Sequence, residues 1–116
     1  NKNHTSIIAF LSARLGSISD NSLGGWYSYR SSKAALNMLI KTLSLELAYT
    51  NKNAICIGIH PGTVDTKLSS PFTEKMRNKK IFTKDEAAGY LMNIINNVDS
   101  LQNGYIIDWQ EKKIDY

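Results

Sequence analysis

The hydrophobic positions of this chain fall into runs of two kinds. Ser6–Ser12 (Ser-Ile-Ile-Ala-Phe-Leu-Ser) and Ala54–His60 (Ala-Ile-Cys-Ile-Gly-Ile-His) are short and almost unbroken, the pattern of parallel strands buried on both faces. From residue 26 to residue 50 there is neither Gly nor Pro, and Ala, Leu, Lys and Met recur, which predicts a long helix over Trp26–Thr50. Its apolar residues, among them Ala34, Leu36, Met38, Leu39, Ile40, Leu43, Leu45 and Leu47, wrap more than one face. A helix of that kind calls for two burial partners, here a sheet and a second copy of the protein. Thr83-Lys84-Asp85-Glu86 has the spacing of a capping box, and Ala87, Ala88, Leu91, Ile94 and Ile95 continue from it at helical spacing to Asn97. Asn103-Gly104 predicts a turn into a third short strand, Tyr105–Asp108.

Two polar stretches separate these runs. Ala13–Gly25 is rich in Gly, Ser, Asn and Asp and predicts a loop. Thr63–Phe82, interrupted by Pro71, predicts a long loop or lid with short helical pieces. The order is therefore strand, helix, strand, loop, helix, strand, which implies right-handed crossovers and an α/β fold on a parallel sheet.

Composition narrows the picture. No apolar run approaches the roughly 18–20 residues needed to cross a bilayer, so a membrane role is not expected. A lone cysteine, Cys56, lies inside an apolar run and reads as a core residue of a cytoplasmic protein. The net charge of +4 raises nucleic-acid binding. The one dense basic patch, Lys75, Arg77, Lys79, Lys80 and Lys84, has no aromatic residues interleaved as stacking platforms, so it reads as a solvated loop and no nucleic-acid partner is expected. His4 and His60 stand without a second ligand at metal-site spacing, so no metal site is expected. Trp26 and Trp109 read as core or interface.

The candidate chemistry is Tyr29-Arg30-Ser31-Ser32-Lys33 at the start of the long helix. Positions i and i+4 share a helical face, one turn apart. A free phenol titrates near pH ~10 and exchanges protons poorly at neutrality. An ammonium ~4 Å away favours the phenolate by about 4 kcal/mol at an effective dielectric of ~20, and the positive end of a helix acts in the same sense. A phenol so placed can protonate a ketone oxygen as hydride arrives, or take the proton of an alcohol as hydride leaves. Alone, a Tyr-x-x-x-Lys pair is a common surface pattern; context gives it weight.

That context is a resemblance. Phe10-Leu11-Ser12-Ala13-Arg14-Leu15-Gly16-Ser17 followed by Trp26-Tyr27-Ser28-Tyr29-Arg30-Ser31-Ser32-Lys33-Ala34-Ala35-Leu36-Asn37 resembles the active-site region of the short-chain dehydrogenase/reductase family. His60-Pro61-Gly62-Thr63-Val64-Asp65-Thr66 resembles its Pro-Gly-x-x-x-Thr segment, and Asn103–Asp108 its last strand. The likeness is greatest to the branch of C-factor-like and sniffer-like carbonyl reductases. It implies an NAD(P)-dependent oxidoreductase acting on a small carbonyl or alcohol. In it Tyr29 is the acid/base, Lys33 also holds the nicotinamide ribose, and Pro61, Gly62, Val64 and Thr66 contact the cofactor, Gly62 by allowing close approach of the backbone. The family's helper serine falls at Ala13, so a neighbour must serve if any serine does; Ser12 is favoured over Ser17.

The resemblance also implies a Rossmann-like, doubly wound sheet of which residues 1–116 are the C-terminal part. No Gly-x-x-x-Gly-x-Gly or Gly-x-Gly-x-x-Gly phrase occurs among the glycines, so the half that grips the pyrophosphate is expected elsewhere. The 116 residues alone are expected to be a fragment or truncated product with little or no activity. Two further readings stand beside the oxidoreductase: a non-catalytic signalling or partner-binding protein on a degenerate scaffold of this family, and a homo-oligomer assembled through helix 26–50, the second compatible with the first.

Overall fold

The computed structural model describes residues 4–70 and 80–116. Strand β1 (Ser6–Leu11) leads through a single 3-10 turn (Arg14–Gly16) to helix α1 (Tyr27–Thr50), and β2 (Ala54–His60) follows. Two short strands, β3 (Thr63–Val64) and β4 (Ile81–Phe82), precede helix α2 (Lys84–Asn97), and β5 (Ile106–Asp108) and β6 (Lys113–Ile114) end the chain. The main sheet has the order β1-β2-β5-β6, parallel between the first three strands and antiparallel at the last pair. This is the α/β architecture expected, with β6 added as a hairpin partner of β5.

Strand β2 is the centre of the molecule. Its alternate side chains point to opposite faces. Ile55, Ile57 and Ile59 join Ile107 and α2's Ile94 in one cluster. Cys56 joins Ile106, Ile114 and α1's Ile40 in the other. Gly58 faces this second cluster, where a Cβ would sit 2.9 Å from Ile40 Cδ1 and 2.6 Å from Ile106 Cδ1. Helix α1 thus lies closer to the strand than any side chain at position 58 would permit.

Three expectations need correction. The apolar run of β1 implied burial on both faces, but β1 has only β2 as a neighbour among the described residues, and Ile8 and Leu11 are exposed. Continuous apolarity reports a strand's composition; burial depends on what lies beyond it. The segment Thr63–Phe82 is not wholly loop, since Thr63 and Val64 pair in parallel with Ile81 and Phe82. Two residues per strand are too few to show a period. The long helix begins at Tyr27, with Trp26 in the left-handed conformation (φ 57°) ahead of it.

Of the basic patch, Lys75, Arg77 and Lys79 lie outside the described residues. Lys80 is placed over the rings of Phe82 and Trp109, which pack edge-on with each other beside Tyr90. Trp109 is therefore a packing residue, as expected. Among the described residues no helix is long and apolar enough to cross a membrane. Helix α1 buries Asn37, Ile40 and Ser44 against the sheet and leaves Met38, Leu39, Leu45 and Tyr49 exposed, so one of its two apolar faces is covered.

Candidate active site

The carboxyl ends of β1, β2 and β5 lie side by side, with Leu11 opposite Ile59 and His60 opposite Asp108. In open α/β sheets this is where ligands bind. The chain leaves each strand here by a different device. After β1, Ser12 N donates to Ile59 O at 2.8 Å, and the 3-10 turn is closed by Gly16 N on Ala13 O. After β2, Pro61 ends the strand and Gly62 turns at φ 80°. The space beside Gly62 is filled: a Cβ would meet Phe82 Cε2 at 2.6 Å. Here the glycine admits an aromatic ring of the protein's own core as well as a reversal of the backbone.

Helix α1 opens onto this end of the sheet. Gly24, Gly25 and Trp26 all have positive φ, and the loop they form is tied back by Arg30, whose guanidinium donates to Gly24 O, Gly25 O and Leu15 O. Tyr29 falls in the first turn of α1, where the helix end is positive. Lys33 follows one turn later, and its Nζ lies 5.8 Å from the centroid of the Tyr29 ring. The same Nζ donates to Leu11 O at 3.2 Å. The ammonium therefore joins the last residue of β1 to the first turn of α1, and Tyr29 remains 42% exposed. Tyr27 is 85% exposed and faces away into solvent.

The candidate helper serines are both engaged. Ser12 is buried and its hydroxyl donates to Asn37 Oδ1 at 2.5 Å. Ser17 is buried and donates to Asp115 O. Ala13 is buried with no hydroxyl to offer. Thr66 is held by Ser69: Ser69 Oγ accepts from Thr66 N at 3.0 Å, and Ser69 N donates to Thr66 Oγ1 at 3.2 Å. Thr66 lines a depression of about 540 Å³ with Asp65, Lys67, Ser70, Thr83, Lys84 and Asp85, a set that includes neither Tyr29 nor Lys33. The sequence-predicted residues thus form three groups. Tyr29 and Lys33 come together beside Leu11 O, at the end of β1; Pro61 and Gly62 follow the end of the adjacent strand β2; Val64 and Thr66 lie further along.

Sequence reasoning missed Asn37 and Asp108. Asn37 had a visible signal, a polar residue within the apolar stretch Ala34–Ile40. Asp108, the buried acceptor of an Arg14 hydrogen bond at 2.8 Å, had none, because the pair spans the length of the chain.

The profile of the short chain dehydrogenase family matches residues 2–77, which include Tyr29, Lys33 and the Pro61–Thr66 segment. The chain belongs to the short-chain dehydrogenase family. Among curated members it is 29% identical over 107 residues to the C-signal protein of Myxococcus xanthus, covering 92% of this chain and 59% of that protein. It is 36% identical over 89 residues to the 1-hydroxy-2-glutathionyl-2-methyl-3-butene dehydrogenase of Rhodococcus sp. (strain AD45), covering 77% of this chain and 38% of that one. This family member therefore spans about half the length of the curated relatives it matches. Among solved structures it is similar to the carbonyl reductase Sniffer of D. melanogaster (TM-score 0.82, 28% identity, 98% of this chain and 44% of that one). It is also similar to the NADPH-bound carbonyl reductase from chicken fatty liver (TM-score 0.79, 31% identity, 97% and 45%). The likeness to the branch of C-factor-like and sniffer-like reductases read from the sequence is thus borne out, as is the Rossmann-type α/β fold.

Proposed function

We propose that this chain carries the acid/base portion of an NAD(P)-dependent oxidoreductase of the carbonyl reductase or alcohol dehydrogenase type. The observation that carries the reading is the placement of Lys33 Nζ beside the Tyr29 ring while it is anchored on Leu11 O at the carboxyl end of β1. The family membership and the NADPH-bound carbonyl reductase among the structural neighbours support the cofactor class.

The donor set fits a nicotinamide ribose. A phenolic hydroxyl and an ammonium, adjacent and reachable from solvent at the carboxyl end of a parallel sheet, suit two neighbouring sugar hydroxyls. Tyr29 and Lys33 would hold that sugar, with Pro61, Gly62, Val64 and Thr66 along the rest of the cofactor. When bound, the reduced nicotinamide supplies hydride to a carbonyl carbon. Tyr29 holds at its phenolic oxygen the proton that completes the alcohol, and takes that proton back in the oxidative direction. Lys33 places its ammonium over the ring that bears that oxygen, and its bond to Leu11 O limits where the ammonium can go. Ser12, with its proton on Asn37, supports a structural tie between β1 and α1 better than a bond to substrate. With Ala13 at the family's helper position, Tyr29 is the remaining hydroxyl for the substrate oxygen.

The test uses the protein from its whole gene. Tyr29→Phe should reduce turnover of carbonyl substrates with reduced cofactor to background while fluorescence titration with that cofactor weakens only a few-fold, Lys33 and the Pro61–Thr66 segment still holding it. Full activity in that variant would end the reading.

A second reading, a non-catalytic signalling or partner-binding protein, is favoured by Ala13 and by the likeness to the C-signal protein. A whole protein that neither binds reduced cofactor nor turns over any of a panel of carbonyls would decide for it. In either case we propose a cytoplasmic homo-oligomer that covers the exposed side of α1, the face of Met38, Leu39, Leu45 and Tyr49.

A further inference from the structure

We infer that Asp108 acts through Arg14 as a positioning residue for Lys33; this rests on the oxidoreductase reading. Asp108 ends β5 and its side chain is only 4% exposed. Its two oxygens have separate partners. Oδ1 accepts from Gln110 N and Lys112 N, both at 2.9 Å, and so shapes the β5–β6 turn. Oδ2 accepts from Arg14 Nη2 at 2.8 Å. A carboxylate needed only for its own turn would be served by the first oxygen; the second is committed to a residue on the other side of the sheet, one strand beyond β2.

Arg14 opens the 3-10 turn, and Gly16 closes it. Gly16 presses on the backbone of Lys33: a Cβ there would lie 2.8 Å from both Lys33 C and Lys33 Cβ, and 3.0 Å from Ala34 N. Those are backbone and near-backbone atoms of a helix, which cannot swing aside. Lys33 is therefore gripped twice, at its backbone by the turn and at its ammonium by Leu11 O, just before that turn. The ion pair Arg14–Asp108 fixes the turn from outside. If it is cut, the turn keeps the bonds from Arg30 to Leu15 O and from Ser17 to Asp115 O but loosens on its outer side, and the ammonium shifts relative to Tyr29 while the sheet stays whole. Asp20 cannot replace it, since its Oδ1 is 3.8 Å from Arg14 Nη1 and exposed.

Two substitutions isolate the pair. Asp108→Asn keeps an oxygen for Gln110 N and Lys112 N but sets an amide donor against a guanidinium donor. Arg14→Gln cuts the pair from its exposed end and leaves the buried Asp108 carboxylate with the two backbone N–H donors on Oδ1 and no cation. In the whole-gene protein each should lower kcat roughly 10- to 100-fold, the scale of a small misplacement of a catalytic group. KM for the carbonyl should change less than kcat, and the loss in kcat should be present at temperatures well below each variant's own melting transition. The double variant should be no worse than either single one, because both remove the same contact. Arg14→Lys, which can still reach the carboxylate, should restore kcat to within about threefold. Wild-type kcat in Arg14→Gln, or losses that add in the double variant, would overturn the inference and leave the Tyr29 assignment standing. Turnover unaffected by Tyr29→Phe would remove both.

Discussion

Cys56 shows how one residue reports on the core. It is fully buried on the α1 side of β2, among Ile40, Ile106 and Ile114, and its N–H donates to Asn103 Oδ1 at 2.8 Å. Burial raises its thiol pKa above the ordinary value, because an apolar site disfavours the thiolate. A group whose folded pKa exceeds its unfolded one stabilises the fold fully below the unfolded pKa, and that contribution is lost as pH rises through the folded value. Native protein at pH 8 should therefore resist a thiol reagent such as dithionitrobenzoate and react at once in urea, with stability declining as pH climbs beyond about 8.5. Labelling in native buffer at the rate of a free thiol would show that β2 opens locally. The sequence made this residue legible because its neighbours Ile55 and Ile57 declare the strand. It did not make Ser12 legible: its environment depends on Asn37, one helix away, and no spacing rule joins residues 12 and 37.

The two helices begin by opposite means. Helix α2 is capped locally: Thr83 Oγ1 accepts from Glu86 N at 3.2 Å, and Glu86 Oε1 accepts from Thr83 N at 3.4 Å. That four-residue device was readable from sequence, since all its parts are adjacent. Helix α1 has no side-chain cap; three left-handed residues and the guanidinium of Arg30 fix its start through tertiary contacts. Its length and apolarity could be read, but not how Tyr29 comes to be aimed. Thr83→Ala should cost about 1 kcal/mol of unfolding free energy, and Thr83→Ser only a few tenths, in urea titrations followed by circular dichroism. Equal losses would mean that the methyl group, not the hydroxyl, matters at this position. The pair β3–β4 marks the limit of such reading: Val64 and Phe82 sit together because Gly62 turns back against the Phe82 ring, and that closure joins residues about 20 apart.

At the scale of the molecule, the described residues present two unsatisfied surfaces. One is the outer edge of β1, where Ile8 and Leu11 are 38% and 59% exposed and the backbone has no partner strand. The other is the outward side of α1, with Met38, Leu39, Leu45 and Tyr49. A six-residue apolar edge is a template for another strand, whereas an apolar helix face seeks another helix. Face-to-face helix pairing closes on itself and stops at a defined oligomer. Pairing of β1 with the β1 of a second copy also closes, since each copy brings one such edge; growth needs both surfaces at once, each linking a different neighbour. Residues 1–116 prepared alone should therefore form large, polydisperse species at tens of micromolar in sedimentation velocity, with rising light scattering. Placing a charge on the edge, Ile8→Lys with Leu11→Lys, should abolish the growth and leave a dimer paired through α1, while Leu39→Glu with Leu45→Glu should abolish it and leave a dimer paired through β1. A sharp monomer boundary for the unaltered chain would mean that neither surface is adhesive. Loss of all association on changing the helix alone would mean that β1, though unpaired, is protected by its twist and its exposed end residues, and that assembly of this chain proceeds through α1.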